Sequence, residues 1–363
     1  MLPKRDKNPG QTHKPEDEAR KVIIMQILVE KEMHNNSELF LTDKSNTSQG
    51  SELSNGLRTS GQYISGMVGQ VSRLDIKSII RHLTSYSTRF TFSEEAVLAS
   101  QWIHEQFVTM GYSDVAYQDF TLCDSLQKNI VCSKEGKGQS DKNLILCAHY
   151  DSIAKSTIGW DWQTCPAPGA NDNASGVAAM LEIARILESV DMNYTIRFIA
   201  FTGEEQNLWG SRAYADYALT NRMNIVLVIN LDEIGYPDVN PVWNIIIGED
   251  QGNHTSYKNA DSHKFAQVMK QAAGDYTSLT CTILDIWTSD HMPFNSAGYP
   301  VIGVCQAGKY PYSHEVTDTY ANIDLDYVVE VTRMTLATIL LVAGMQIEKP
   351  TETQEIKPDN NCT

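Results

Sequence analysis

The chain has 363 residues, with 29 Lys and Arg against 45 Asp and Glu, a formal charge of −16 at neutral pH. That balance disfavours a phosphate-backbone binder, which needs clustered cations to displace counterions, so nucleic acid is not expected as a partner. A hydrophobic share of 42% supports a substantial core, but the most apolar stretch, 336–344, is about half of what crosses a bilayer, and no membrane association is expected.

Residues 1–70 are rich in Lys, Glu, Asn, Ser, Gly and Gln and read as a polar, partly disordered extension with one helix near 17–33. The apolar patch at 23–29 follows Glu16, Asp17 and Glu18 and precedes no small-residue cleavage site, so no secretory leader is recognisable. The expectation is a cytosolic chain or one that starts after a leader has been lost. From 71 to 346 the pattern is that of a single globular domain. Ser93, followed by Glu94 and Glu95, opens a helix that runs to about 110 and stops at Gly111. Residues 115–120 and 128–132 read as strands, and 143–149 (NLILCAH) as a strand buried on both faces. Further helices are expected at 175–187, 211–220, 262–273 and 325–345, and strands at 195–201, 224–231, 243–247 and 300–304. Such alternation predicts an α/β domain with a mostly parallel central sheet and helices on both faces. Residues 347–363 are expected to form a loose tail. The seven cysteines include no CxxC pair, which excludes a zinc ribbon or thioredoxin-type site. One disulfide, for instance Cys123–Cys132 or Cys281–Cys305, is left open.

Open α/β sheets place their sites beyond the carboxyl ends of the strands. The residues that follow the predicted strands are His149 and Asp151 (HYD), Asp172 (PGANDNASG), Glu204 and Glu205 (TGEE), Asp232 (NLDEIG) and His314 (YPYSHEVTDT). Carboxylates gathered at one edge repel unless cations compensate. Zinc accepts both imidazole nitrogen and carboxylate oxygen, and paired ions about 3.5–4 Å apart form co-catalytic hydrolytic sites. One partition, not the only one, has Asp172 bridging two ions, with His149 and Asp232 completing one and Glu205 and His314 the other. Asp151 is placed to orient His149. Glu204 remains free to accept a proton from a metal-activated water and return it, as amide hydrolysis requires.

Over about 76–343 the chain resembles the zinc-dependent aminopeptidases of the M28 peptidase family. AHYDS, APGANDNASG, FTGEEQNLWGSR, NLDEIG, SDHMPF and SHEVTDT carry the likeness, in order. The resemblance implies a mixed, mostly parallel sheet of phosphorylase/hydrolase type and two Zn2+ per chain. It also implies metal ligands at His149, Asp172, Glu205, Asp232 and His314, a general base at Glu204, a peptide substrate with a free N-terminus, and a secreted or periplasmic location. Some members carry an oxyanion-stabilising tyrosine shortly before SDH, where this chain has Ile286 and Trp287; Tyr310 or Tyr312 are substitutes, and Asp290 and His291 candidate supports behind the ligands.

Each motif alone has a plainer explanation: a satisfied histidine at a strand end, a solvated Glu pair, or turn and cap chemistry around Asp172. The pair Trp160 and Trp162, on the insertion 153–165 beside the site, reads first as loop packing. Asn35, Asn46, Asn193, Asn253 and Asn361 begin glycosylation triplets of a kind frequent by chance, and Asn173 begins one inside the expected site. Serine-hydrolase, HExxH and nucleotide-loop signatures are absent. The alternatives on the same scaffold are a one-zinc glutaminyl cyclase and a carboxypeptidase. The latter needs a cation for the substrate carboxylate, with Arg197 and Arg212 as candidates. A non-catalytic binding ectodomain is the alternative of another class, disfavoured by the intact ligand set. Oligomeric state is undetermined.

Overall fold

A computed structural model describes residues 61–237, 243–252 and 258–344, and the fold below is that of the unit beginning at Tyr63. Residues 1–60 of the expected extension, the tail, Cys362 and the triplets at Asn35, Asn46, Asn253 and Asn361 lie outside the described residues.

Strand β3 (Gln139–His149) combines an apolar run with branched residues, so both of its faces are covered by side chains and it lies deep in the sheet. Its even residues Leu144, Leu146 and Ala148 pack into one core and its odd residues Ile145 and Cys147 into another, as two-residue side-chain alternation requires. The neighbours β4 (Tyr194–Phe201) and β5 (Asn224–Leu231) both run parallel to it. Beyond β5 lies β8 (Val301–Gln306), also parallel. Outside this centre the sheet turns antiparallel. The hairpin β1 (Asp114–Leu122) and β2 (Ser125–Lys134) adds against β4, while β6 (Asn244–Glu249) pairs antiparallel with β8 and parallel with β7 (Thr280–Asp285). The order is β1-β2-β4-β3-β5-β8-β6-β7, a mixed eight-stranded sheet.

The helices are α1 (Arg73–Leu83), α2 (Glu94–Met110), α3 (Ser175–Leu187), α4 (Trp209–Thr220), α5 (Asn259–Tyr276), α6 (His291–Ser296) and α7 (Leu325–Ala343). The larger core joins residues of α1, α2, α3, α5 and α7 to one sheet face, and the smaller joins Tyr214, Ala215 and Ala218 of α4 and Phe294 of α6 to the other. Each fully buried Ile, Leu or Phe in these layers contributes about 1.5–3 kcal/mol of transfer free energy. Ends follow local chemistry. Ser93 accepts from the Ala96 N–H to cap α2, which stops at Gly111 with φ 106°, and Asp324 caps α7 by accepting from Asp326 and Tyr327.

The single α/β domain with helices on both faces is as expected. Four elements were not: a helical stretch at 61–68, whose Ile64, Met67 and Val68 join the larger core although 1–70 reads as a polar extension, and α1, β7 and α6. Ile76, Ile79, Ile80 and Leu83 do recur at helical spacing in α1. By contrast, β7 is a short edge strand, and α6 has six residues, too few to show a period. Neither disulfide forms: Cys123, Cys132, Cys281 and Cys305 are all free thiols, with Cys123 exposed and Cys132 buried. No described helix is long and apolar enough to cross a membrane.

Candidate metal centre

The parallel strands finish in line, His149 of β3 opposite Phe201 of β4 and Leu231 of β5 opposite Val304 of β8. Everything that leaves those ends therefore enters one cleft. Asp172 arrives on a tight turn at Ala170–Ala174 between β3 and α3, and its peptide bond to Asn173 is cis. That turn is knitted to the loop after β5: Asn173 donates to the Leu231 carbonyl at 2.8 Å, and Gly235 N–H donates to Asn171 Oδ1 at 2.7 Å. Gly176 is required here, because a Cβ would lie 2.6 Å from the Leu231 carbonyl oxygen.

Asp172 faces two imidazoles with different oxygens. Its Oδ1 lies 3.2 Å from His149 Nε2, and its Oδ2 lies 3.0 Å from His314 Nε2. Asp232 Oδ1 is 3.3 Å from His149 Nε2, and Glu205 Oε2 is 3.2 Å from His314 Nε2. The donor atoms thus form two groups, His149–Asp172–Asp232 and Asp172–Glu205–His314, within each of which all lie within 4.8 Å of one another. His149 Nδ1 is 3.2 Å from the Asp151 carbonyl, a partner that assigns a proton to Nδ1 and turns Nε2 into the cleft. The Asp151 carboxylate, fully buried, lies 3.6 Å from the same nitrogen. It also accepts from the backbone N–H groups of Glu204 and Glu205 at 3.3 Å and from Thr91 at 3.1 Å, so it anchors the turn after β4 as well as the imidazole.

Electrostatics mark the cleft as short of positive charge. Burial alone would lower His149, yet Asp151, Asp172 and Asp232 hold it well above the usual imidazole range. Burial opposes His314 too, but Asp172 and Glu205 push it up to about 10. Asp172 is held low despite its burial, by hydrogen bonds to His149 and His314. Burial and Asp172 push Glu205 up to about 7, and its Oε1 is buried without a hydrogen-bond partner. Burial raises Glu204 well above its ordinary value, with Asp232, Asp290 and Glu205 adding to it.

These residues fit divalent cations. Two ligand atoms about 2.0–2.1 Å from a tetrahedral ion stand about 3.3–3.4 Å apart. The observed nitrogen–oxygen contacts of 3.0–3.3 Å come close to this. A cation would also satisfy Glu205 Oε1 and replace the protons that the imidazoles otherwise need. Mixed imidazole and carboxylate donors suit a borderline-soft ion.

A cavity of about 400 Å3 opens on this cleft, lined by Asp172, Glu204, Glu205, Asp232, Glu233 and His314 together with Leu208, Trp287 and Lys155, among others. Burial, Asp172 and Asp232 push Glu233 up to about 9. Neither Tyr310 nor Tyr312 lines this cavity; the Tyr310 hydroxyl donates to Asp318 at 2.6 Å. Nor do Arg197 and Arg212: Arg197 donates to Asn143 and Ser133, and Arg212 to the Asn207 carbonyl. Asp290 and His291 are fully buried. His291 connects to the site through Asn230 and Ser289, whose Oγ donates to Asp232 Oδ2 at 2.6 Å.

Sequence reasoning passed over Asp318, Ser289, Glu233 and Lys155. The first three lie inside the motif strings SHEVTDT, SDHMPF and NLDEIG, and that placement was the available signal. Trp160 and Trp162 both pack on Phe90, at 5.8 and 5.0 Å between ring centroids.

An α/β sheet whose strand ends converge on paired imidazole–carboxylate groups defines a metal-binding protein of the zinc-exopeptidase fold class. The pattern of Peptidase family M28 matches residues 129–339, and the chain belongs to that family. Among curated relatives, a "Probable zinc metalloprotease" of Phaeosphaeria nodorum is 28% identical over 70% of this chain and 62% of its own length, so the chain spans less than two thirds of that relative. "Leucine aminopeptidase 1" of Coccidioides posadasii is 28% identical, over 75% of this chain and 71% of its own length. Among solved structures, LapB from Legionella pneumophila matches with a TM-score of 0.65 at 25% identity, covering 77% of this chain and 75% of that one. The Bacteroides thetaiotaomicron glutaminyl cyclase bound to N-acetylhistamine shares the fold, with a TM-score of 0.59 at 23% identity over 74% of this chain and 98% of that one.

Proposed function

We propose that the protein is a two-zinc aminopeptidase that removes N-terminal residues from peptides. The observation that carries this reading is the division of Asp172, one oxygen toward each imidazole, which makes two three-residue groups from five side chains. His149, Asp172 and Asp232 would hold one zinc ion, and Asp172, Glu205 and His314 the other. Zinc bound there would supply Lewis acidity to the scissile carbonyl and to the attacking water.

The chain's own residues supply the rest. Glu204 lines the cavity beside both groups without belonging to either, and its burial raises its proton affinity above that of an ordinary carboxylate, which suits a general base. It takes a proton from the water and delivers it to the departing amine. The acidic lining attracts the ammonium of a free N-terminus and selects against blocked ones. Leu208 and Trp287 offer the side chain of the first residue an apolar wall.

The test is Glu204→Gln. Loss of leucine-nitroanilide hydrolysis with two zinc ions still bound per chain, by elemental analysis, is the expected result. Retained hydrolysis would remove Glu204 from the reaction, and one zinc ion with cyclisation of N-terminal glutamine would replace the reading with that of a cyclase.

A further inference from the structure

Lys155 is the single Lys or Arg among the residues that line the cavity, against five carboxylates: Asp172, Glu204, Glu205, Asp232 and Glu233. Its ammonium lies 4.0 Å from Glu205 Oε2 while its side chain is 58% exposed, so it reaches from solvent toward the site. The position is built rather than incidental. Ala154 before it is fully buried, and the Ser156 N–H after it donates to the His314 carbonyl at 2.9 Å. Thr157 then donates to Glu315 at 2.5 Å and accepts from the Val316 N–H at 3.0 Å. The backbone that follows Lys155 is therefore clamped to the loop that delivers His314, and the Thr157 N–H donates back to the Ala154 carbonyl at 2.9 Å. Only the four-carbon stem is free to move.

Resting on the aminopeptidase reading, we propose that Lys155 binds the free α-carboxylate of short peptide substrates and gives the site a preference for dipeptides. A residue of extended chain spans about 3.3–3.6 Å. The carboxylate of a dipeptide thus lies about one residue beyond the scissile carbonyl, and Glu205, within 4.0 Å of the ammonium, is itself one of the residues around that carbonyl. Apart from His314, every other titratable acid or base lining the cavity is a carboxylic acid or the Cys305 thiol, so Lys155 is the lysine or arginine a substrate carboxylate can meet there. Metal binding at Glu205 would take that carboxylate away from Lys155 and release the ammonium to the substrate. A cavity of about 400 Å3 accommodates a ligand of dipeptide size.

The experiment compares Leu-Gly, Leu-Gly-amide and Leu-Asp-amide on the zinc-loaded protein. The wild type is expected to favour Leu-Gly over Leu-Gly-amide by about ten-fold or more in kcat/KM, chiefly through KM, as one charge-assisted contact allows. Lys155→Met brings that ratio close to one, and Lys155→Arg keeps most of it. In the Glu204→Gln background, where peptide binds without being cut, calorimetry with Lys155→Met is expected to show Leu-Gly binding weakened by about ten-fold and the preference over the amide lost. A ratio unchanged by Lys155→Met overturns the assignment, as does an equal loss for Leu-Asp-amide, which would make the recognised group a side-chain carboxylate. Failure of the wild type to cleave any of the three would instead overturn the aminopeptidase reading.

Discussion

Asp318 accepts the backbone N–H of Asp172 at 3.1 Å with one carboxylate oxygen and that of Asn171 at 2.9 Å with the other, across 146 and 147 residues of sequence. Tyr310 donates to the same carboxylate at 2.6 Å. The side chain shared by both candidate metal groups is thus held by its own peptide plane, and that plane by a buried acid on a distant loop. Asp318→Ala removes the clamp. Zinc affinity, measured by competition with a chromophoric chelator, is expected to fall about 10–100-fold, the usual cost of losing support behind a ligand. Tyr310→Phe leaves both backbone contacts in place and is expected to cost less.

Single-ligand variants separate the two groups. His314→Ala and His149→Ala are each expected to lower zinc content from two ions per chain to about one, whereas Asp172→Ala, which takes a donor from both, lowers it further. Elemental analysis after gel filtration reads the difference. Equal losses in all three variants would show that the groups do not fill separately.

Arg89 is fully buried and gives its protons to carbonyls alone: Tyr150 at 2.7 Å, Leu83 at 2.9 Å, Pro168 at 2.5 Å and Gly169 at 2.8 Å. It binds together the residue that follows His149 and the turn before Asp172. Burial lowers its pKa to about 10, with Asp318, Asp151 and Asp172 opposing the fall. It remains charged at neutral pH. Arg89→Met strands four buried acceptors and is expected to destabilise the fold by about 3–5 kcal/mol, read as a lower urea midpoint.

The indole of Trp287 lies against two glycines. A Cβ on Gly248 would come within 2.5 Å of Trp287 Cζ3, and one on Gly303 within 3.2 Å of the same ring. Gly248→Ala must push the ring toward the cavity it lines. KM for leucine substrates is expected to change by about ten-fold, with zinc content unaffected, because the shift alters substrate space and not the donor atoms.

What could be read from the chain and what could not divide along physical lines. The strands β3, β4 and β5 stand out because burial on both faces demands uninterrupted apolar residues, and their ends located His149, Glu204, Glu205 and Asp232 without knowledge of any tertiary contact. Ser175–Leu187 was recognisable to the residue, since Asn173 and Gly176 punctuate its start. Lys155 was not legible. Nothing periodic marks it, and its relation to Glu205 exists only because Ser156 and Thr157 dock on the loop after β8. Tyr310 was misjudged for a similar reason: a tyrosine near a histidine motif is as well suited to support an acid as to face a substrate, and only the path of the loop decides. Of the two pairings considered for one disulfide, Cys123–Cys132 fails because Cys132 lies inside the sheet core while Cys123 is exposed after β1, and Cys281–Cys305 fails because β6 lies between their strands.

The sheet order has a consequence for the growing chain. Side chains of the His149–Asp172–Asp232 group are all present once residue 232 has been made, but His314 follows 82 residues later (314 − 232 = 82). Between them comes β8, which the finished sheet places directly beside β5. A chain halted in that interval before β8 carries four of the five convergent side chains next to an open β5 edge. Ribosomal release before His314 therefore leaves an exposed acidic edge and one imidazole, a product for quality control and not a weaker peptidase.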